Sequence, residues 1–133
     1  MRTQEYIFRI REVVRVTDGD TYWFQVDQGF RNTQLVEIRL MGFDTPEKNK
    51  GTAREKQKAQ EAKELADTFL WLGRPDTKYW VRTEKDPNGG FGRWLGDVWI
   101  ERLDGSELHL GDWLRGHQLA SVWPTRWRDE FDS

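Results

Sequence analysis

Four charged side chains lie at spacings that could support chemistry on a phosphate group. Asp20 ends an acidic, turn-forming run, and Asp44 and Glu47 follow Arg39 within eight residues. Carboxylate oxygens are hard ligands that suit Ca²⁺ or Mg²⁺, and a guanidinium can bind two oxygens of one phosphate. Glu47 supplies a further carboxylate that could handle a proton. The set therefore predicts a metal-dependent site that cleaves phosphodiester bonds.

Each motif also has a purely structural interpretation. Asp18-Gly19 is typical of a hairpin turn, and Thr45-Pro46 is typical of an N-cap followed by the first residue of a helix. Arg39 on a strand would usually be solvated, and Arg93 would usually mark the exit of a hairpin. The combination favours the functional interpretation, because these acids and arginines all fall at strand ends or loops, where one barrel mouth could collect them.

Composition limits the class of protein. The 133 residues predict one domain, 1–133, and the 36% hydrophobic and 14% aromatic residues predict a folded chain. The chain has no cysteine, which excludes disulfides and thiolate metal sites, and only two histidines. With 21 basic against 23 acidic side chains, any contact with nucleic acid must be local rather than a matter of bulk charge.

The N-terminal region predicts neither secretion nor membrane insertion. Its apolar residues are interrupted by Arg9 and Arg11, so it has no apolar core of a signal peptide. No window of the sequence approaches the length of a membrane span. We therefore expect a cytoplasmic protein with no membrane partner, and secretion only if a leader is missing from the sequence.

Strands dominate the first third of the chain. A β-rich run ends at Asp18-Gly19 and resumes from Tyr22 to Val26, which predicts a hairpin. In the third strand Ile38 and its alternate neighbours face the core, so Arg39 points away from it. Two further strands are predicted after the helix described next, at Lys78 to Thr83 and Arg93 to Glu101.

One helix is strongly indicated and a second is expected. Thr52 and Glu55 form a capping box, and Gly73 follows as a stop. The apolar stripe between them consists of Ala59, Ala62, Ala66, Phe69 and Leu70. Leu108 to Leu119 predicts a short second helix, and the tail from Val122 to Ser133 has no clear period.

The order of elements predicts a mainly β or α+β fold. Three strands, a helix, two strands and a helix suggest a five-stranded Greek-key barrel of the OB-fold type with helices packed on it. An open sheet of the α+β class is the alternative.

The chain resembles the staphylococcal nuclease (thermonuclease) family over roughly residues 7 to 123. The resemblance lies in the residues Asp18-Gly19-Asp20-Thr21, Arg39 to Glu47, Gly92-Arg93-Trp94-Leu95, Leu114 and Leu119-Ala120. It implies a staphylococcal nuclease-like barrel that hydrolyses DNA and/or RNA and leaves 3′-phosphate ends.

The resemblance also implies a role for each site residue. Asp20, Asp44 and the main-chain carbonyl of Thr45 would bind Ca²⁺. Arg39 and Arg93 would bind the scissile phosphate. The role of Glu47 would be to act on the attacking water, either as a base or by ordering it.

The sequence departs from the family pattern in the loop before Arg93 and in the second helix. Phe91 stands where a tyrosine is usual, and Gly90 where a lysine is usual. Base stacking could survive through Phe91, but one phosphate contact is lost. Gln118 replaces a glycine, which puts the local register in question.

A further departure concerns the aromatic pair that lines the family's nucleotide pocket. Pro124 and Arg126 take the places of these aromatic residues. Trp123 and Trp127 are the substitutes that we expect to stack on bases.

The leading functional hypothesis is a monomeric, calcium-dependent endonuclease or exonuclease that reads the nucleic-acid backbone with little sequence specificity. The alternative is a catalytically weak OB-fold module that binds single-stranded nucleic acid. A protein-interaction domain that uses exposed tryptophans has no motif in its favour. The enzyme is favoured because Asp20, Arg39, Asp44, Glu47 and Arg93 are all present.

Overall fold

The computed structural model describes residues 6–49, 51–71, 77–87 and 92–132. Within these ranges the chain forms eight strands and three helices. The strands are Tyr6–Asp18 (β1), Thr21–Gly29 (β2), Asn32–Leu40 (β3), Phe43–Asp44 (β4), Lys78–Lys85 (β5), Arg93–Glu101 (β6), Glu107–His109 (β7) and Ser121–Val122 (β8). The helices are Ala53–Phe69 (α1), Leu110–Gly116 (α2) and Trp127–Phe131 (α3).

Five of the strands close into a barrel. β1 pairs with β2 and β5, β2 pairs with β3, and β5 pairs with β6, all antiparallel. The parallel pairing of β3 with β6 closes the cylinder. β1 can serve two partners because register shifts along its pairing with β2 bend the strand. The fold is mainly β with packed helices, and its closed barrel excludes the open sheet.

Alternating side chains fill the barrel as the sequence predicts. On β3, Ile38 and Leu40 are buried, whereas Arg39 between them is 34% exposed. The predicted strands at Lys78 to Thr83 and Arg93 to Glu101 correspond to β5 and β6, β5 being two residues longer.

The turn between β1 and β2 differs from the predicted one. Asp18 pairs with Thr21, so Gly19 and Asp20 form the two-residue loop rather than Asp18 and Gly19. Gly19 is required by packing, because a Cβ there would lie 2.7 Å from the Cβ of Ala62 in α1. The hydroxyl of buried Tyr22 donates a hydrogen bond to the Gly19 carbonyl. The helix therefore rests directly on the turn that carries Asp20.

α1 begins as predicted. The hydroxyl of Thr52 accepts a hydrogen bond from the main-chain N–H of Glu55 at 3.0 Å. The five residues of the predicted apolar stripe are all buried. Gly73, the predicted stop, lies outside the described residues, and the helix ends at Phe69 with Leu70 as C-cap.

The second helix is shorter than predicted. Leu108 belongs to β7, which pairs with the end of β6, and the helix runs only from Leu110 to Gly116. Gly111 of α2 packs closely against the ring of Phe43 in β4, since a Cβ on Gly111 would lie 2.2 Å from a ring atom.

His109, at the end of β7, bridges two acids. Its Nδ1 lies 2.9 Å from Asp97 and its Nε2 lies 3.1 Å from Glu107. Burial alone would lower the pKa of His109, but the hydrogen bonds and charges of the two carboxylates outweigh it and raise the pKa above its usual value.

The tail, for which the sequence predicts no regular structure, forms β8 and α3. Asp44 of β4 pairs with Ser121 of β8, and Trp127 at the start of α3 is 1% exposed. None of the described helices is both long and apolar enough to cross a membrane.

Candidate active site

The first part of the site is the contact between the β1–β2 turn and the end of β3. Thr21 pairs with Arg39 across the two strands, which brings Arg39 beside Asp20. The Nε atom of Arg39 lies 4.0 Å from Oδ2 of Asp20. The main-chain N–H of Leu40 donates to the Asp20 carbonyl at 2.8 Å. Strand register therefore fixes an acid and a guanidinium next to each other.

The electrostatics of Asp20 favour a nearby cation. Burial raises the pKa of Asp20, and the charge of Arg39 offsets this only in part. Asp18 raises it further, while hydrogen bonds from Thr21 and Thr45 lower it. Because a buried carboxylate is costly to ionise without a compensating charge, Asp20 is a group that a bound cation would stabilise.

Asp44 ends β4, and Thr45 begins the loop that follows it. Both are buried, and the side chain of Thr45 is close enough to Asp20 to lower the pKa of that carboxyl. Oδ2 of Asp44 accepts a hydrogen bond from the main-chain N–H of Trp127 at 2.7 Å. This contact leaves Oδ1 of Asp44 as the oxygen with full capacity for another ligand.

Glu47 lies on a loop rather than on a helix. The interpretation of Thr45-Pro46 as a helix start is wrong, since residues 45–49 are not helical and the next helix of the described chain begins at Ala53. The main-chain N–H of Glu47 donates to Oε2 of Glu55 at 2.9 Å. Lys48 ties the same loop to the β1–β2 hairpin through an ion pair of 3.3 Å with Asp18.

Arg93 lies on the same barrel face as Arg39. In the parallel pairing of β3 with β6, Arg93 is opposite Glu37 and Arg39 is opposite Leu95. The two arginines are therefore two positions apart on adjacent strands, roughly 8 Å between Cα atoms by ordinary sheet geometry. Both side chains are partly exposed, 34% for Arg39 and 27% for Arg93.

Asp86 orients Arg93. Its Oδ2 lies 3.0 Å from the Nε of Arg93, and its side chain is 4% exposed. A guanidinium held at Nε presents its two terminal nitrogens together, which is the arrangement that binds two oxygens of a phosphate.

The predicted stacking residues have different outcomes. Phe91 lies outside the described residues. Trp123 is 56% exposed, and its main-chain N–H donates to the Gly42 carbonyl at 3.0 Å, two residues before Asp44. Trp127 is wrong as a stacking residue, because its indole is buried and its Nε1 donates to the Gln118 carbonyl at 2.9 Å.

The oxygen atoms of the site suit a hard divalent cation for which the protein supplies only a few of the ligands. Across the described parts of the chain, no three His, Cys, Asp or Glu side chains are grouped as a metal site. Asp20 and Asp44 are the carboxylates that could bind such an ion, and Thr45 could add its carbonyl. Because such cations also bind through water and substrate phosphate oxygens, two carboxylates are a sufficient anchor.

Three contacts of the site are not foreseen from the sequence. They are the buried Asp86 beside Arg93, the carboxylate of Glu55 beneath Glu47, and the main-chain N–H of Trp127 on Asp44. The capping box includes Glu55, but this motif predicts that the Glu55 carboxylate accepts a hydrogen bond from the main chain of Thr52. The carboxylate reaches Glu47 instead.

A scan of the chain against models of protein families gives no match, and a search of curated proteins finds no significant relative.

Proposed function

We propose that the protein is a calcium-dependent nuclease that hydrolyses phosphodiester bonds of DNA and/or RNA, on a Greek-key barrel of the OB type like that of staphylococcal nuclease. The observation that carries this proposal is the meeting of three segments distant in sequence. The Arg39–Asp20 approach and the Lys48–Asp18 ion pair join the β1–β2 turn, the end of β3 and the loop after β4. Arg93 joins them from β6.

The two arginines are the groups that we assign to the phosphate. A phosphodiester resists attack because its oxygens carry negative charge, and more charge develops as the fifth ligand approaches phosphorus. Arg39 and Arg93 share one face, and both side chains are partly exposed. Preorganised cations on that face would stabilise the developing charge without reorganising, and Asp86 preorganises Arg93.

Asp20, Asp44 and the Thr45 carbonyl are the groups that we assign to a cation, with Ca²⁺ as the ion that the resemblance implies. A bound divalent ion would supply positive charge beside the phosphate. Glu47 remains to hold or accept a proton of the attacking water. Among the described residues its carboxylate makes no ion pair, so it is available for this role.

The backbone at Gln118 supports the family alignment. Gln118 stands where the family pattern has a glycine, and its φ is 60°. This left-handed conformation favours glycine, so the position keeps the conformation that the family residue would adopt. The exposed Trp123, close to Gly42, supports a stacking surface beside the site.

The test is cleavage of single-stranded DNA and RNA with millimolar Ca²⁺ against the same reactions in EGTA. We expect products in Ca²⁺ only, with 3′-phosphate ends that a phosphatase removes. Cleavage that persists in EGTA would contradict the assignment of the cation. Tight binding of oligonucleotides without cleavage in either condition would favour the binding module instead.

A further inference from the structure

Glu55 is a buried acid that contacts the loop after β4, which carries Glu47 and is called the site loop below. It is not one of the proposed reacting groups. Its side chain is 2% exposed, and its Oε2 accepts the main-chain N–H of Glu47 at 2.9 Å. Gly51 forms the adjacent wall, because a Cβ on it would lie 2.0 Å from Oε1 of Glu55. The carboxylate is thus enclosed, with one oxygen directed at the loop.

Arg128 of α3 supplies the charge that Glu55 needs. Its Nε lies 3.4 Å from Oε1 of Glu55, and its Nη2 lies 3.5 Å from Oε2. Within the described residues, Oε1 has no hydrogen bond of normal geometry although it is buried, so the ion pair is the interaction that compensates its charge. A buried carboxylate that loses its partner either takes up a proton or moves toward water. Glu55 therefore depends on Arg128 to stay in place.

The residue before Arg128 contacts the site as well. The main-chain N–H of Trp127 donates to Asp44. Two consecutive residues of α3 therefore reach the carboxylate of Asp44 and, through Glu55, the main chain of Glu47. The helix is itself anchored on α1, where Arg54 donates to the Phe131 carbonyl at 2.7 Å.

We propose that Glu55 and Arg128 are positioning residues that fix the main chain at Glu47, so that the C-terminal helix sets the geometry of the site. The kinetic part of this inference rests on the proposed nuclease function. The pair touches neither substrate nor cation, so its loss should lower kcat and leave KM nearly unchanged.

The experiment compares Arg128→Ala and Glu55→Ala with Arg115→Ala as a matched control. Arg115 also forms an ion pair with α3, through Glu130 at 3.1 Å, but in the part of the chain that the structure describes neither residue bonds to the site loop that carries Glu47. The first readout is the amide of Glu47 in the metal-free protein, followed by ¹H–¹⁵N NMR and hydrogen exchange. The second is kcat and KM for single-stranded DNA in Ca²⁺.

In Arg128→Ala we expect exchange of the Glu47 amide to speed up roughly tenfold or more, with a shifted resonance. We expect kcat to fall by about tenfold or more at similar KM. Arg115→Ala should change neither. If Glu55→Ala does not fold, Arg128→Ala alone decides, because Arg128 is 32% exposed. Equal effects of Arg128→Ala and Arg115→Ala on the Glu47 amide would overturn the proposal.

Failure of the proposed nuclease function can be distinguished from failure of the positioning role. A wild-type protein that cleaves nothing would overturn that function, while loss of protection at Glu47 in Arg128→Ala alone would still support the positioning role.

Discussion

The contact between α2 and β4 makes a prediction in which two effects oppose each other. Gly111 and Gly116 lie at opposite ends of the same short helix. A Cβ on Gly111 would lie 2.2 Å from Cε2 of Phe43, whereas a Cβ on Gly116 would meet no atom of the described residues within 4 Å. Gly111→Ala and Gly116→Ala are the same chemical change, so only the environment of the new methyl group differs.

The sizes of the two effects, helix propensity and overpacking, decide whether each substitution stabilises or destabilises the protein. Alanine is favoured over glycine in a helix by about 0.5–1 kcal/mol, partly because the unfolded chain loses freedom. Gly116→Ala should therefore stabilise the protein by about 0.5 kcal/mol. At Gly111 the ring of Phe43 must shift, and overpacking of this kind costs about 1–3 kcal/mol. The net effect of Gly111→Ala should be a loss of about 0.5–2 kcal/mol, or roughly 4 °C in Tm per kcal/mol for a chain of this size.

Urea unfolding of the two variants and of Gly111→Ala/Phe43→Leu tests this reasoning. The smaller leucine should recover part of the loss, since it removes the ring that the methyl group meets. Because Phe43 directly precedes Asp44, Gly111→Ala should also reduce cleavage, while Gly116→Ala should not. Equal stability of the two single variants would refute the packing argument and leave helix propensity as the only effect.

Three further predictions concern charged groups. Arg39→Ala and Arg93→Ala should each slow cleavage by about 10²-fold or more, with little change in Tm for Arg39→Ala but a lower Tm for Arg93→Ala, which removes the guanidinium paired with buried Asp86; Arg39→Lys should not recover the rate, and a lysine variant with wild-type kcat would refute bidentate phosphate binding. The raised pKa of His109 means that its interactions stabilise the fold below its unfolded pKa of about 6.5 and are lost as pH rises through the folded value. The stability difference between wild type and His109→Gln in urea should be larger at pH 5.5 than at pH 9, and an equal difference would contradict it. Asp20→Asn should melt no lower than wild type without Ca²⁺, because burial makes the charge of Asp20 costly; Ca²⁺ at about 100 times its Kd should add about 2.7 kcal/mol to wild type and less to the variant. Four melting curves measure this, and equal Ca²⁺ shifts in both proteins would place the cation elsewhere.

Local patterns predicted the regular elements well. The period of two on β3 placed Ile38 inside and Arg39 outside, and the alanine-rich stripe of α1 is buried as expected. These features depend on neighbours a few residues apart, which sequence spacing records directly. The boundary at Leu108 was wrong because a short strand and a helix start share one apolar run, and only pairing with β6 separates them.

The structure of the tail, residues 122–133, is harder to predict from sequence because it depends on tertiary contacts. α3 has five residues, too few for a periodic pattern. Trp127 and Trp123 are the same residue type four positions apart, yet one is buried and the other is 56% exposed. Nothing in their local sequence distinguishes a core tryptophan from a stacking one. The difference lies in their tertiary environment, where the Trp127 indole donates to the Gln118 carbonyl.

The supporting contacts of the site were beyond the reach of sequence for a more general reason. The N–H groups on Asp44 and Glu55 belong to the main chain, which every residue except proline possesses, so residue type does not record them. The partners are also far apart, since 83 residues separate Asp44 from Trp127 and 73 separate Glu55 from Arg128. Charged residues that would react can be predicted from their types, but the groups that hold them depend on how the chain returns to the site. Variants at Glu55 and Arg128 are therefore the most informative test of whether this geometry matters to function.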